Sequence, residues 1–138
     1  MPTPRDHLRL EPIEEALYAV SGRKDDLRFN LDSVERYDLE TRSWGPVAPH
    51  PVPRGGLASV VLGNKLYTFG GEFTWRCHDG IEVYDPATDR WREIGRLPEA
   101  RHGIVAGVLD GQVHLVSGRR HPRISVSRIH RVFRPSGE

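Results

Sequence analysis

The sequence predicts an all-β fold built from three copies of one four-stranded unit, and three observations carry the prediction. Fourteen glycines and 11 prolines spread over 138 residues interrupt the chain too often for long helices, so self-similarity is the first property to test. Proline-bounded segments ending in arginine, Pro2-Thr3-Pro4-Arg5, Pro51-Val52-Pro53-Arg54 and Pro98-Glu99-Ala100-Arg101, recur 49 and 47 residues apart. Twelve residues after each arginine an apolar run begins that ends in glycine: Leu17-Tyr18-Ala19-Val20-Ser21-Gly22, Leu66-Tyr67-Thr68-Phe69-Gly70-Gly71 and Val113-His114-Leu115-Val116-Ser117-Gly118.

Each unit resolves into four strands. Strand a follows the arginine (Leu57 to Leu62, Ile104 to Leu109) and strand b ends at the glycine. Gly63-Asn64 and Asp110-Gly111 lie between a and b, where a tight hairpin needs residues that tolerate positive φ. Strand c carries an aromatic residue: Val34-Glu35-Arg36-Tyr37-Asp38 matches Ile81-Glu82-Val83-Tyr84-Asp85 and, more weakly, His130-Arg131-Val132-Phe133-Arg134. Asp85-Pro86-Ala87-Thr88-Asp89 suits a turn into strand d, which starts near Trp44 and Trp91, each seven residues beyond its tyrosine. The middle unit is expected to show strands near 57–62, 66–70, 80–85 and 90–94. The first strand a is expected to be the least regular, because Glu11, Pro12, Glu14 and Glu15 oppose a central ladder. The third copy stops five residues after Phe133 and lacks its outer strand. A unit of this length and strand count that must stack on neighbours is a propeller blade, which gives one repeat region with blades at about 2–48, 49–95 and 96–138.

These residues resemble the kelch repeat, with its arginine before strand a, glycine pair after strand b, and tyrosine and tryptophan beyond. The bacterial kelch proteins look most similar, on Pro2-Thr3-Pro4-Arg5-Asp6-His7 and Val132-Phe133-Arg134-Pro135. The resemblance implies structural roles for Gly22, Gly70, Gly71, Gly118, Tyr37, Tyr84, Trp44, Trp91 and Phe133, with Gly70, Gly71, Tyr84 and Trp91 in the core between blades. Ser21 and Ser117 depart from the glycine pair. Kelch propellers commonly have six or seven blades, so three blades imply half of a six-bladed ring. A second copy would complete it as a homodimer, or the chain is the C-terminal half of a longer one.

Composition narrows the function. A net charge of +1 with 28% charged and 37% hydrophobic residues argues against disorder and against general nucleic-acid affinity. The absence of an apolar run near 18 residues and of a basic-then-apolar start argues against a membrane span and a signal peptide, so a cytoplasmic location is expected. Cys77, the one cysteine, cannot form an internal disulfide. Residues 1–45 carry ten acids against seven bases, whereas residues 111–138 carry six arginines and one acid, a gradient that would favour head-to-tail pairing of two copies; the competing reading is drift between repeats.

Candidate site residues follow from the repeat. Arg5, Arg54 and Arg101 recur at one blade position, where a ring of guanidinium groups would hold a carboxylate or an acidic peptide; the competing role is to brace the neighbouring loop. The loop Trp75-Arg76-Cys77-His78 lies between strands b and c of the second blade, and Glu72 and His102 join it at the same rim. A Cys-His dipeptide without further ligands is a weak metal signal, so no metal and no cofactor are expected. Arg119-Arg120-His121-Pro122-Arg123, the matching loop of the third blade, is a solvated basic surface or a contact for an acidic partner. A copper radical oxidase, found among kelch-like propellers, needs tyrosines, histidines and a cysteine around one channel, a pattern not seen here. An epimerase of the sialic acid class would have to use Arg54, Arg101, His102 and Glu72. The expectation is a binding module whose partner is a protein, a second copy, or an anionic or sugar-like ligand, with the epimerase as the alternative.

Overall fold

Apolar alternation between two-residue turns produces hairpins throughout the computed structural model, which describes residues 1–26, 28–122 and 125–135. The first sheet holds β1 (Arg9–Ile13), β2 (Ala16–Val20), β3 (Val34–Asp38) and β4 (Ser43–Val47), and the second holds β5 (Ala58–Leu62), β6 (Lys65–Phe69), β7 (Gly80–Asp85) and β8 (Arg90–Arg96). The third is β9 (Val105–Leu109), β10 (Gln112–Val116) and β11 (His130–Phe133), with no outer strand among the described residues. Neighbours are antiparallel and follow chain order within each sheet, which is the meander of a propeller blade. No helix occurs among the described residues. In the middle blade β5 and β6 start and end within a residue of expectation, and β8 runs two residues further. Both turn residues have positive φ in the hairpins at Gly63-Asn64 and Asp110-Gly111.

Strand β1 differs from expectation. It pairs with β2 along all five residues, from Arg9 opposite Val20 to Ile13 opposite Ala16. A strand paired on one side only turns its N–H groups alternately to the partner and away, so Pro12 is tolerated. The charges are also used: Arg9 Nε donates to Leu57 O at 2.7 Å and its Nη2 to Ile104 O at 3.1 Å, while Glu11 accepts from Ser59 Oγ. Arg9 thus joins the inner edges of all three blades.

The core lies between blades. Ile13, Tyr18, Val20 and Val34 of blade 1 close on Leu57, Leu66 and Tyr84 of blade 2. The other face of blade 2 (Ala58, Val60, Tyr67, Phe69, Ile81 and Val83) closes on Ile104, Val113 and Leu115 of blade 3. An aromatic contact repeats at both interfaces: Tyr18 meets Tyr84 with ring centroids 5.8 Å apart, and Tyr67 meets Phe133 at 6.2 Å. Trp91 rests on Tyr84 and His50 and donates Nε1–H to Ala48 O at 3.0 Å, which ties β8 to the segment leaving blade 1. Two glycines admit close approaches, Gly70 that of the next blade and Gly71 that of Arg54 in its own blade. A Cβ at Gly70 would collide with Arg101 O, and one at Gly71, whose φ is +113°, would come 2.8 Å from Arg54 Cδ.

Candidate functional site

Short bridges Asp6 to Arg23, Gly55 to Glu72 and His102 to Arg119 extend the inner hairpins of the three blades beyond the repeat arginines, and bring these residues together at one end. The arginines themselves point inward. Arg5 donates to Ser33 O at 2.9 Å, to Ala19 O and to Glu35 Oε2 at 3.0 Å; Arg54 donates to Gly70 O and Glu82; Arg101 donates to Ser117 O. Arg54 and Arg101 are fully buried, and so is the Arg5 side chain. These groups brace the loop after strand b, which is the second of the two roles the sequence offered, and no open ring of guanidinium groups forms among the described residues. Burial lowers the pKa of all three arginines, opposed by Glu35 at Arg5, by Glu82 at Arg54 and by Glu99 at Arg101.

The third brace differs. Where Glu35 and Glu82 supply the carboxylate, blade 3 has Arg131, which pairs instead with Glu99 in the linker. Arg101 Nη2 is left buried without a partner among the described residues.

Above the braces a polar chain crosses the blades. Glu72, buried at 3% exposure, sets Oε1 3.4 Å from Arg23 Nη1 of blade 1 and Oε2 3.3 Å from His102 Nδ1 of blade 3. Arg23 also reaches Asp6 at 3.1 Å and His7 Nε2 at 2.9 Å, and Asn30 Nδ2 donates to Glu72 O. Arg23 was absent from the sequence expectation. Its signal was available, because the residue after the last glycine of strand b reads Arg23, Glu72 and Arg119, alternating in sign from blade to blade.

The loop from Phe73 to Asp79 stands beside this chain. Trp75 is 80% exposed, and the Arg76 guanidinium lies over the Phe73 ring at 5.2 Å. Cys77 Sγ donates to Arg119 O, and burial pushes its thiol up to about 11, so it stays protonated and unreactive near neutrality. Burial and the nearby Arg54 push His78 down to about 4. Among the described residues no three His, Cys, Asp or Glu side chains gather as a metal cluster. Arg120 and His121 are exposed, and Arg123 lies outside the described residues. Of the residues expected at the rim, Trp75 and Arg76 are exposed, Glu72 and His102 are buried beside them, and Arg5, Arg54 and Arg101 lie beneath.

Residues 53–98 match the family model described as the Kelch motif. Kelch-like protein 15 of Gallus gallus is 44% identical over 71 residues, 51% of this chain and 14% of that protein. Kelch-like protein terF of Aspergillus terreus is 33% identical over 73 residues, 52% of this chain and 16% of that protein. Alpha-scruin of Limulus polyphemus is 39% identical over 67 residues, 49% of this chain and 7% of that protein. The matches thus span about half of the chain and a small part of each relative. These relatives are eukaryotic and lend nothing to the bacterial affinity expected above.

Proposed function

We propose that this chain, a kelch-repeat protein, works as an interaction module whose open end blade receives a further blade, from a second copy or from a partner chain. One observation carries the reading. The free face of blade 3 presents Val105, Leu109, Val116 and Val132, 65%, 62%, 42% and 38% exposed, at the positions where blade 2 presents Ala58, Leu62, Phe69 and Val83 to blade 3. An exposed apolar sheet face of this kind drives association in water. Blade 1 offers the complementary side. Its Leu8, Leu10, Leu17 and Tyr37 stand where Leu57, Ser59, Leu66 and Tyr84 of blade 2 meet blade 1.

Head-to-tail pairing of two copies would join these faces in a six-bladed ring. Sedimentation velocity checks the proposal: the chain is expected to self-associate, and Leu109→Asp to abolish the association by burying a charge against the incoming face. A folded monomer at all concentrations that also retains no partner would overturn it. The rim supplies a second contact surface, where exposed Trp75 and Arg76 suit an acidic or sugar-like group better than a cation. The epimerase alternative draws less support, since Arg54 and Arg101 are interior and Glu72 and His102 are paired with each other.

A further inference from the structure

The free face of blade 3 carries two imidazoles where blade 2 carries a tyrosine and an isoleucine. His114 on β10 occupies the place of Tyr67, and His130 on β11 that of Ile81. The register sets His114 opposite Val132 and His130 opposite Val116, so both rings share the side of the sheet that bears Val105 and Leu109. His114 Nδ1 and His130 Nε2 are 2.9 Å apart, with ring centroids at 5.1 Å and planes inclined by 34°. At that distance one neutral ring donates its N–H to the lone pair of the other.

We propose that His114 and His130 form a two-imidazole site for a borderline divalent metal of the zinc type, with the remaining coordination positions filled by water. Two zinc–nitrogen bonds of about 2.0–2.1 Å at the tetrahedral angle hold their donors about 3.3 Å apart, so the rings need separate by only a few tenths of an ångström. The ring that donates the shared hydrogen moves that proton through solvent to its other nitrogen, which frees a second lone pair for the metal. Imidazole donors select zinc, copper or nickel over magnesium and calcium. No third His, Cys, Asp or Glu joins the pair among the described residues, which contribute two ligands. The site rests on this chain alone and does not depend on the docking reading.

Zn2+ is the probe, titrated calorimetrically into the full chain at about pH 7.5, where imidazole is largely neutral, and at a dilution where the chain sediments as a monomer. One equivalent is expected to bind with Kd at or below about 0.1 mM. His114→Tyr and His130→Ile install the blade 2 residues and so preserve the sheet; each is expected to weaken binding at least about tenfold. His7→Ala, at the opposite blade, is expected to leave it unchanged, and Mg2+ to give no heat. Weaker binding by the unaltered chain, or binding that survives His114→Tyr, overturns the assignment.

Discussion

At the scale of single residues, the Arg54–Glu82 pair is the anchor of the middle blade: both side chains are removed from water, Arg54 donates to Glu82 and to Gly70 O, and Glu82 also accepts from Thr68 Oγ1. Glu82→Ala leaves the guanidinium buried without its counter-charge, and a loss of about 3–5 kcal/mol is expected in chemical denaturation. His50 and His78 set the acid response. Burial holds His50 near 3 and His78 near 4, against an ordinary value of 6.5, so the unfolded chain takes up protons that the folded chain refuses. Stability is therefore expected to be level above about pH 6.5 and to fall as pH drops toward 4 and then 3, by up to a few kcal/mol. His50→Gln should flatten part of that slope in denaturation midpoints measured between about pH 6.5 and 4. The period of the arginines was plain in the sequence, but not their direction. What directs all three is a carbonyl near the end of strand b, at Ala19, Gly70 and Ser117, joined in the first two blades by Glu35 and Glu82 about 30 residues downstream, and only the fold shows that these groups meet.

At the scale of elements, strands and turns were legible because each hairpin carries its own alternation and its own positive-φ pair. The regularity of β1 was not, because what steadies its charges lies on other blades, at Leu57 O, Ile104 O and Ser59. Position in the array should still show in dynamics. Strand β5 is flanked by both β1 and β9, whereas β1 has a neighbouring blade on one side only, so amide exchange is expected to be faster in residues 9–13 than in residues 58–62. The two repeat tryptophans, Trp44 and Trp91, separate in the same way. Trp91 is wedged between Tyr84 and His50 at a closed interface, while Trp44 leans on Tyr37 toward the open end. Trp91→Ala is expected to cost about 3–5 kcal/mol and Trp44→Ala distinctly less, read from thermal or denaturant midpoints.

At the scale of the whole molecule, the three stacked sheets leave one apolar face on blade 3 in contact with water, and the association proposed above rests on this face. Stacked repeats ordinarily touch only their immediate neighbours, and such arrays can fray one unit at a time. One side chain breaks that rule here: Arg9 reaches from blade 1 to Ile104 of blade 3, while Glu72 of the middle blade clasps its two neighbours at Arg23 and His102. That next-nearest link joins the end units directly, so loosening either terminal blade also withdraws support from the other. The expected result is a single sharp unfolding transition despite the modular sequence, with Arg9→Ala broadening it or splitting it in two by calorimetry. The Arg9 tie thus converts a chain of modules into one cooperative melting unit.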